Sequence, residues 1–354
     1  MAIRMNLLVQ MTPELEPGNE PMLRDEKKVL GHAITHEACQ ASFRQGLPEW
    51  VVDCHAFLQG PRNGTIQDPN KGQLLSRFTA GYPQFWVSVH VEEVDPVRYL
   101  MLKKGSYYES ILSQSFTEIL GKNKDGHVID VGGNIGWFSL LSRAMGHTVD
   151  MFEPHPANIL RVCESTLLNG WEDCSTVHPA LDGLNPNKGY IHVHPIGLLH
   201  ESKTLFLDSW GLSPGQGRLS DKASRPESIH VPVSTLDAMA EKLGWLEKDI
   251  AILKVDVEGY EYNVFRGARQ LIHSRRVRNI FLEVKLHKSK IPNFVAISSF
   301  LVSEGYVAHK IGGHKGPSQI YEPPPGANYT SALYEACASI ERKAPHCNMW
   351  WKRN

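Results

Sequence analysis

Residues 128–138, Val128-Ile129-Asp130-Val131-Gly132-Gly133-Asn134-Ile135-Gly136-Trp137-Phe138, constrain the fold more than any other segment. A short, almost wholly apolar run passes straight into a glycine-rich turn, and an apolar-faced helical pattern over Ile135 to Met145 follows, stopped by Gly146. Three apolar residues in four, with Asp130 as the exception, fit a strand covered on both faces. Glycine lets the backbone turn tightly and approach a neighbour without a Cβ in the way. Strand, glycine turn and helix together make the opening unit of a parallel sheet. Ligands of such sheets bind at the carboxyl ends of the strands.

The same alternation continues downstream. Thr148 to Phe152 reads as a second strand, and Asn158 as the cap of a helix that faces inward with Ile159, Leu160, Cys163, Leu167 and Leu168. Ser175 to Val177 reads as a third strand, and Tyr190 to His194 with Leu205 to Leu207 as a strand pair. Thr235 caps a helix ending at Gly244, and Ile250 to Val255 is a strand with Lys254 as its one polar residue. One helix over Tyr260 to Ile272, a strand at Ile280 to Val284, a helix over Pro292 to Ser303 and a strand at Tyr306 to Ile311 complete the series. Alternating strands and helices predict an α/β fold, a mostly parallel sheet with helices on both faces. The segment 208–228 is rich in Gly, Ser and Pro and reads as a long loop. The chain divides into an N-terminal extension over 1–100, a main domain over 101–311 and a tail over 312–354, in which Met349-Trp350-Trp351 suits a closing strand. Phe85 to Val91 reads as a strand and Tyr107 to Leu120 as a helix.

Charge removes one class of partner. Lys and Arg number 37 against 38 Asp and Glu, a net charge of −1 over 354 residues. No bulk positive field exists to hold nucleic acid. No run approaches the length of a transmembrane helix, and Met5 to Met11 makes a poor secretory signal. The expectation is a soluble, cytoplasmic protein. The even count of 6 Cys and the sequons Asn63-Gly64-Thr65 and Asn328-Tyr329-Thr330 carry the competing secretory reading. No C-x-x-C pair occurs, and Cys163 reads as a small buried hydrophobe. The 17 His are scattered, and nothing in the sequence specifies an oligomeric state.

The turn discriminates between cofactor classes. A dinucleotide site needs G-x-G-x-x-G with the pyrophosphate on the helix N-terminus. Here Asn134 stands at the second glycine, and the pattern is D-x-G-x-N-x-G. An Asp at the strand end repels a pyrophosphate and suits the cationic sulfonium and ammonium of S-adenosylmethionine. Asp130, Gly132, Gly133, Asn134 and Gly136 are therefore the candidate cofactor-binding residues. Glu153, 23 residues beyond Asp130, is placed to accept both ribose hydroxyls. Nicotinamide enzymes use an acid there as well, so Glu153 alone does not discriminate.

A second set of residues follows in order: Thr235-Leu236-Asp237, Lys254-Val255-Asp256-Val257-Glu258-Gly259-Tyr260-Glu261, Gly267-Ala268, and a strand ending in Glu283. With D-x-G-x-N-x-G and Glu153-Pro154, these resemble the FkbM family of S-adenosylmethionine-dependent methyltransferases over about 125–311, with Gly133 standing where Ala is usual. The resemblance implies a class I methyltransferase (Rossmann-like) fold, a seven-stranded sheet whose last hairpin is reversed. It also implies O-methylation, often of a sugar or other polyhydroxylated product.

Methyl transfer to an alcohol needs alignment and a proton acceptor. Asp256 is the first candidate and Glu258 the second, against a reading of Glu258 as a helix cap. His287 is a further candidate base. Tyr108 and Glu109 either cover the cofactor or serve helix packing. Lys254 is expected to form a buried ion pair with Asp237 or Glu283. Asp256, Glu258, Glu283 and His287 match no metal motif, so no metal is expected. The partner expected is a small-molecule or carbohydrate substrate. Two alternatives stand beside this reading: a nucleotide-dependent oxidoreductase, and a non-catalytic binding protein that retains the fold.

Overall fold

The strands of the main sheet form where the sequence is apolar enough to be buried on both faces. The computed structural model describes residues 52, 54, 58, 74–79, 81–91, 108–171, 189–210, 213–285, 288–310, 319–320, 328, 330, 332–333 and 346–353. After a hairpin of β1 (Ser76–Phe78) and β2 (Trp86–Ser88), helix α1 (Ser110–Lys122) leads into β3 (His127–Val131). Then come α2 (Trp137–Ala144), β4 (Val149–Phe152), α3 (Pro156–Leu168) and β5 (Ile191–His194). Every residue of β3 and β4 is buried.

A second sheet is inserted next. It contains β6 (Gly197–Leu198), β7 (Lys203–Trp210), β8 (Ser213–Ser220) and β9 (Ile229–Ser234), in the order β6-β9-β7-β8. The main sheet resumes with α4 (Leu236–Lys242), the fully buried β10 (Ile250–Val255), α5 (Glu261–Arg266), α6 (Arg269–His273) and β11 (Val277–Lys285). It ends with α7 (Ile291–Ser303), β12 (Tyr306–Lys310), β13 (Gln319–Ile320) and β14 (His346–Arg353).

The main sheet has the order β13-β12-β14-β11-β10-β3-β4-β5. β11, β10, β3, β4 and β5 run parallel, while β14 is antiparallel to both β11 and β12. The last strand in sequence therefore lies inside the sheet. Helices cover both faces, and the principal core joins Ile129, Leu253, Phe265, Ile280, Leu301 and Trp351 across one of them.

Several local expectations are corrected. Residues 208–228 are not a loop: β8 occupies Ser213–Ser220, an edge strand paired on one side with β7, where Pro and Gly are tolerated. Residues 190–194 and 205–207 do not pair, because β5 joins the main sheet and β7 the inserted one. The helix over 260–272 is two helices, since the chain bends at Gly267, where a Cβ would overlap the Leu199 carbonyl oxygen. His155, not Asn158, caps α3, its Nδ1 accepting from Ala157 N at 3.2 Å. Thr235 does cap α4, accepting from Ala238 N at 3.0 Å. The strand expected at 175–177 lies outside the described residues.

Cys163 is not merely a buried hydrophobe. It forms a disulfide with Cys54, 109 residues away. Some of the histidines are also gathered. His127, His192 and His194 surround the buried Asp150 at 2.8, 3.2 and 2.7 Å. Burial alone raises the Asp150 carboxyl, but these three contacts outweigh it and hold the group well below the usual carboxylate range.

Candidate active site

The turn after β3 is shaped by its glycines. Gly132 and Gly136 take φ of 77° and 85°, and Asn134, with φ 52°, is one of the few side chains that tolerates this region. A Cβ on Gly132 would overlap the Asp256 carbonyl oxygen, so the turn after β3 can touch the turn after β10 only through glycine. Gly132 N and Gly133 N both donate to Phe152 O, at 2.9 and 3.2 Å, which ties the turn to the end of β4.

Glu153 stands at that end of β4 and is buried. Its Oε2 accepts from Asn134 N at 2.9 Å, and its Oε1 accepts from His155 N at 2.8 Å and Asn158 Nδ2 at 3.2 Å. A carboxylate has about four acceptor sites, so Oε2 keeps capacity for a further donor. Burial pushes the Glu153 carboxyl up to about 7.

Asp130 does not open onto the crevice. It is fully buried, and its Oδ2 accepts from Ser139 Oγ at 2.7 Å. Its Oδ1 lies 3.5 Å from Lys254 Nζ, which is also 3.4 Å from Asp256 Oδ2. Residues 254 and 256 are two apart on an extended segment and so share a face. The buried ion pair expected for Lys254 is present, but with Asp130 and Asp256. Asp237 instead accepts from Leu271 N at 2.9 Å. Burial opposes the Lys254 charge, and the carboxylates of Asp256 and Asp130 overcome that and hold its ammonium above the ordinary range.

Asp256 leads to an acidic mouth. The crevice over β10 and β11 is lined by Glu109, Lys254, Asp256, Glu283, Asn348 and Met349. Asp256, Glu258 and Glu283 each offer a carboxylate oxygen within 4.8 Å of the others, an all-oxygen set that also suits a hard divalent cation. Burial, then the Asp256 carboxylate, pushes Glu283 up to about 10. The same two causes push Glu109, the N-cap residue of α1, up to about 7. Like charges this close cannot all ionise, so the mouth holds protons at neutral pH.

Glu258 is not the cap of α5. It is exposed, with φ 55°, and the carboxylate that organises this turn is Glu261, whose Oε1 accepts from Val257 N at 3.2 Å and Gly259 N at 2.8 Å. Tyr108 packs edge-on against Trp137, 6.2 Å between ring centroids, and Ser113 Oγ donates to its carbonyl at 2.6 Å. His287 lies outside the described residues. The sequence marks Met349 only as part of a closing strand and Asn348 not at all, because both belong to β14, beyond the segment that carries the motifs.

Five parallel strands joined by helices, closed by a reversed hairpin and with a glycine turn on the first strand, make this an α/β protein of the class I methyltransferase type. The chain belongs to the FkbM methyltransferase family: the Methyltransferase FkbM domain matches residues 130–308. A relative named Methyltransferase 1, from Beauveria bassiana (strain ARSEF 2860), is 28% identical over 201 residues, 51% of this chain and 72% of its own length. Among solved structures, a SAM-dependent methyltransferase from Agrobacterium tumefaciens aligns over 79% of this chain and 70% of its own at 10% identity and a TM-score of 0.37. Precorrin-6y C5,15-methyltransferase from Geobacter metallireducens GS-15 aligns over 70% and 88% at 10% identity and a TM-score of 0.31.

Proposed function

We propose that the chain is an S-adenosylmethionine-dependent O-methyltransferase acting on a hydroxyl of a carbohydrate or small metabolite. The observation that carries this reading is the acidic mouth beside the glycine turn. Asp256, paired with Lys254, faces Glu283, a carboxyl held protonated at neutral pH. The residues suit the cofactor. Glu153 Oε2 has acceptor capacity for a ribose hydroxyl, and the carboxylates of Glu109, Asp256 and Glu258 suit a sulfonium and an ammonium. S-adenosylmethionine supplies a methyl group already activated for transfer.

The chain's own part is alignment and proton handling. Asp256 takes the acceptor hydroxyl proton onto a carboxylate oxygen. Protonated Glu283 donates a hydrogen bond, which holds either Asp256 or the acceptor oxygen. Lys254 fixes Asp256 from behind, and Asp130 fixes Lys254. Asp130 is thus a positioning residue. A mouth with so many carboxylates disfavours phosphorylated or carboxylated acceptors and suits neutral polyols.

The test is methyl transfer from radiolabelled S-adenosylmethionine to a panel of neutral, anionic and cationic hydroxyl compounds, with calorimetry for cofactor binding. Asp256→Asn should lower turnover by roughly 100-fold or more, the usual range for a general base. No saturable binding of S-adenosylmethionine to the wild-type chain would sink the proposal. The oxygen set of Asp256, Glu258 and Glu283 favours one second reading, a cation-assisted transfer. Transfer that survives a chelator leaves that reading without support.

A further inference from the structure

We propose that Asn328 is an N-glycosylation site and that the chain matures in an oxidising, glycosylating compartment. This is independent of the methyl-transfer reading and rests on residues outside the active site.

The first observation is the sequon itself. Asn328-Tyr329-Thr330 has the acceptor pattern with no proline in the middle. A sequon this short arises by chance, so its surroundings decide. Asn328 is exposed, as a residue carrying a bulky glycan must be. Thr330 Oγ1 donates to Asn328 Oδ1 at 2.8 Å. The hydroxyl that completes the sequon thus engages the carboxamide of its own acceptor asparagine. The segment is anchored from beneath: Ala332 N donates to Asn328 O at 2.9 Å, Thr330 is 8% exposed, and Leu333, 2% exposed, joins the principal core. A glycan on Asn328 extends into solvent without displacing a buried group.

The second observation lies elsewhere in the fold and points to the same compartment. The disulfide between Cys54 and Cys163 is built into a packed contact. Val52, Cys54 and Leu58 lie against Met151, Ile159 and Val162, and Val52 N donates to Val193 O of β5 at 2.8 Å. Disulfides form and persist in oxidising compartments and are rare in the cytosol. In eukaryotic cells the lumen that oxidises thiols also glycosylates sequons. The expectation of a cytoplasmic protein gives way on this reading.

Both covalent steps balance. The two thiols lose two protons and two electrons to a disulfide-bearing oxidant, which is reduced to a dithiol. Asn328 Nδ2 loses one hydrogen and bonds to the anomeric carbon of an oligosaccharide. The donor is a lipid-pyrophosphate-linked oligosaccharide, and the lipid pyrophosphate leaves with the electron pair of the broken C–O bond.

The experiment uses the full chain purified from its native source, with free thiols alkylated at lysis. Enzymatic deglycosylation in heavy-oxygen water converts a glycan-bearing asparagine to a labelled aspartate that peptide mapping locates. The expected result is label at position 328 in most of the protein, with the Cys54 and Cys163 peptides linked before reduction. An unlabelled Asn328 peptide overturns the proposal, whether the cysteines are linked or alkylated. An Asn328→Gln chain expressed in the same cells should lose the gel shift contributed by that site and keep its affinity for S-adenosylmethionine. An unchanged shift overturns the assignment to Asn328. The wild-type mapping decides the matter by itself if that variant does not accumulate.

Discussion

Lys254→Met is the most informative single substitution in this chain, because Lys254 is, among the described residues, the cation placed with the buried carboxylates at the end of β10. Its residue is 5% exposed, and its ammonium lies 3.5 Å from Asp130, 3.4 Å from Asp256 and 5.3 Å from the centre of the Phe138 ring. Coulomb's law at an effective dielectric near 20 gives roughly 5 kcal/mol for each ion contact before desolvation is subtracted. Methionine recovers the desolvation of the lysine but strands Asp130, which is fully buried. Removing one partner of a buried pair costs about 3–5 kcal/mol, and that is the loss expected here. Denaturant unfolding followed by tryptophan fluorescence measures the loss. A loss below about 1 kcal/mol refutes the claim that Lys254 holds these carboxylates together. A double substitution with Asp130→Asn should recover part of the loss, since the stranded charge is then gone.

Gly132→Ala should cost about 2 kcal/mol or more, from the left-handed φ and the overlap with Asp256 O, and should abolish cofactor binding in calorimetry. Wild-type affinity would contradict the close contact between the two turns. Glu153 has its folded pKa raised from 4.5 to about 7, so it contributes stability below the unfolded value that is lost as pH rises toward 7. Glu153→Gln should remove that decline, and its stability relative to wild type should climb by at most about 1.4 kcal/mol per pH unit across this window. Parallel pH curves from denaturant titrations would count against it. Cys54→Ser opens a cross-link between residues 109 apart and should cost up to about 4–5 kcal/mol on loop-closure grounds, read as a lower unfolding midpoint without reductant. A midpoint equal to that of the oxidised wild type would show that the cross-link does not form.

The parts of the fold legible in sequence were those in which local pattern and tertiary environment agree. β3 and β10 are apolar because both faces are covered, and the glycines between β3 and α2 are needed by the turn itself. The strand β8 was not legible because a sheet edge accepts the Gly, Ser and Pro that otherwise signal a loop. The break between α5 and α6 was hidden because its cause, the Leu199 backbone against Gly267, lies some 70 residues upstream. In the site, the motif marked Asp256, Glu258 and Glu153 as residues of interest, but partners could not be read. Lys254 and Asp130 come together through the register of β10 on β3, in which Lys254 sits opposite Asp130. Glu261, not Glu258, organises the turn before α5, its Oε1 accepting from Val257 N and Gly259 N, while Glu258 stands exposed at a positive φ. Asn348 and the Cys54–Cys163 bond both join segments far apart in sequence, which neither spacing nor periodicity reports.

The position of β14 sets an order on assembly. β11 and β12 are not neighbours: residues 346–353 separate them. A chain emerging from the ribosome can pair β10, β3, β4, β5 and β11 as they appear, but β12 must wait with only β13 beside it. Until β14 arrives, β11 presents an open row of unpaired backbone donors and acceptors, the kind of edge that recruits other chains. The side of the sheet that carries Asn348 and Met349 is therefore the last to form. The candidate crevice, which Asn348 and Met349 help to line, is complete only when β14 has threaded between β11 and β12.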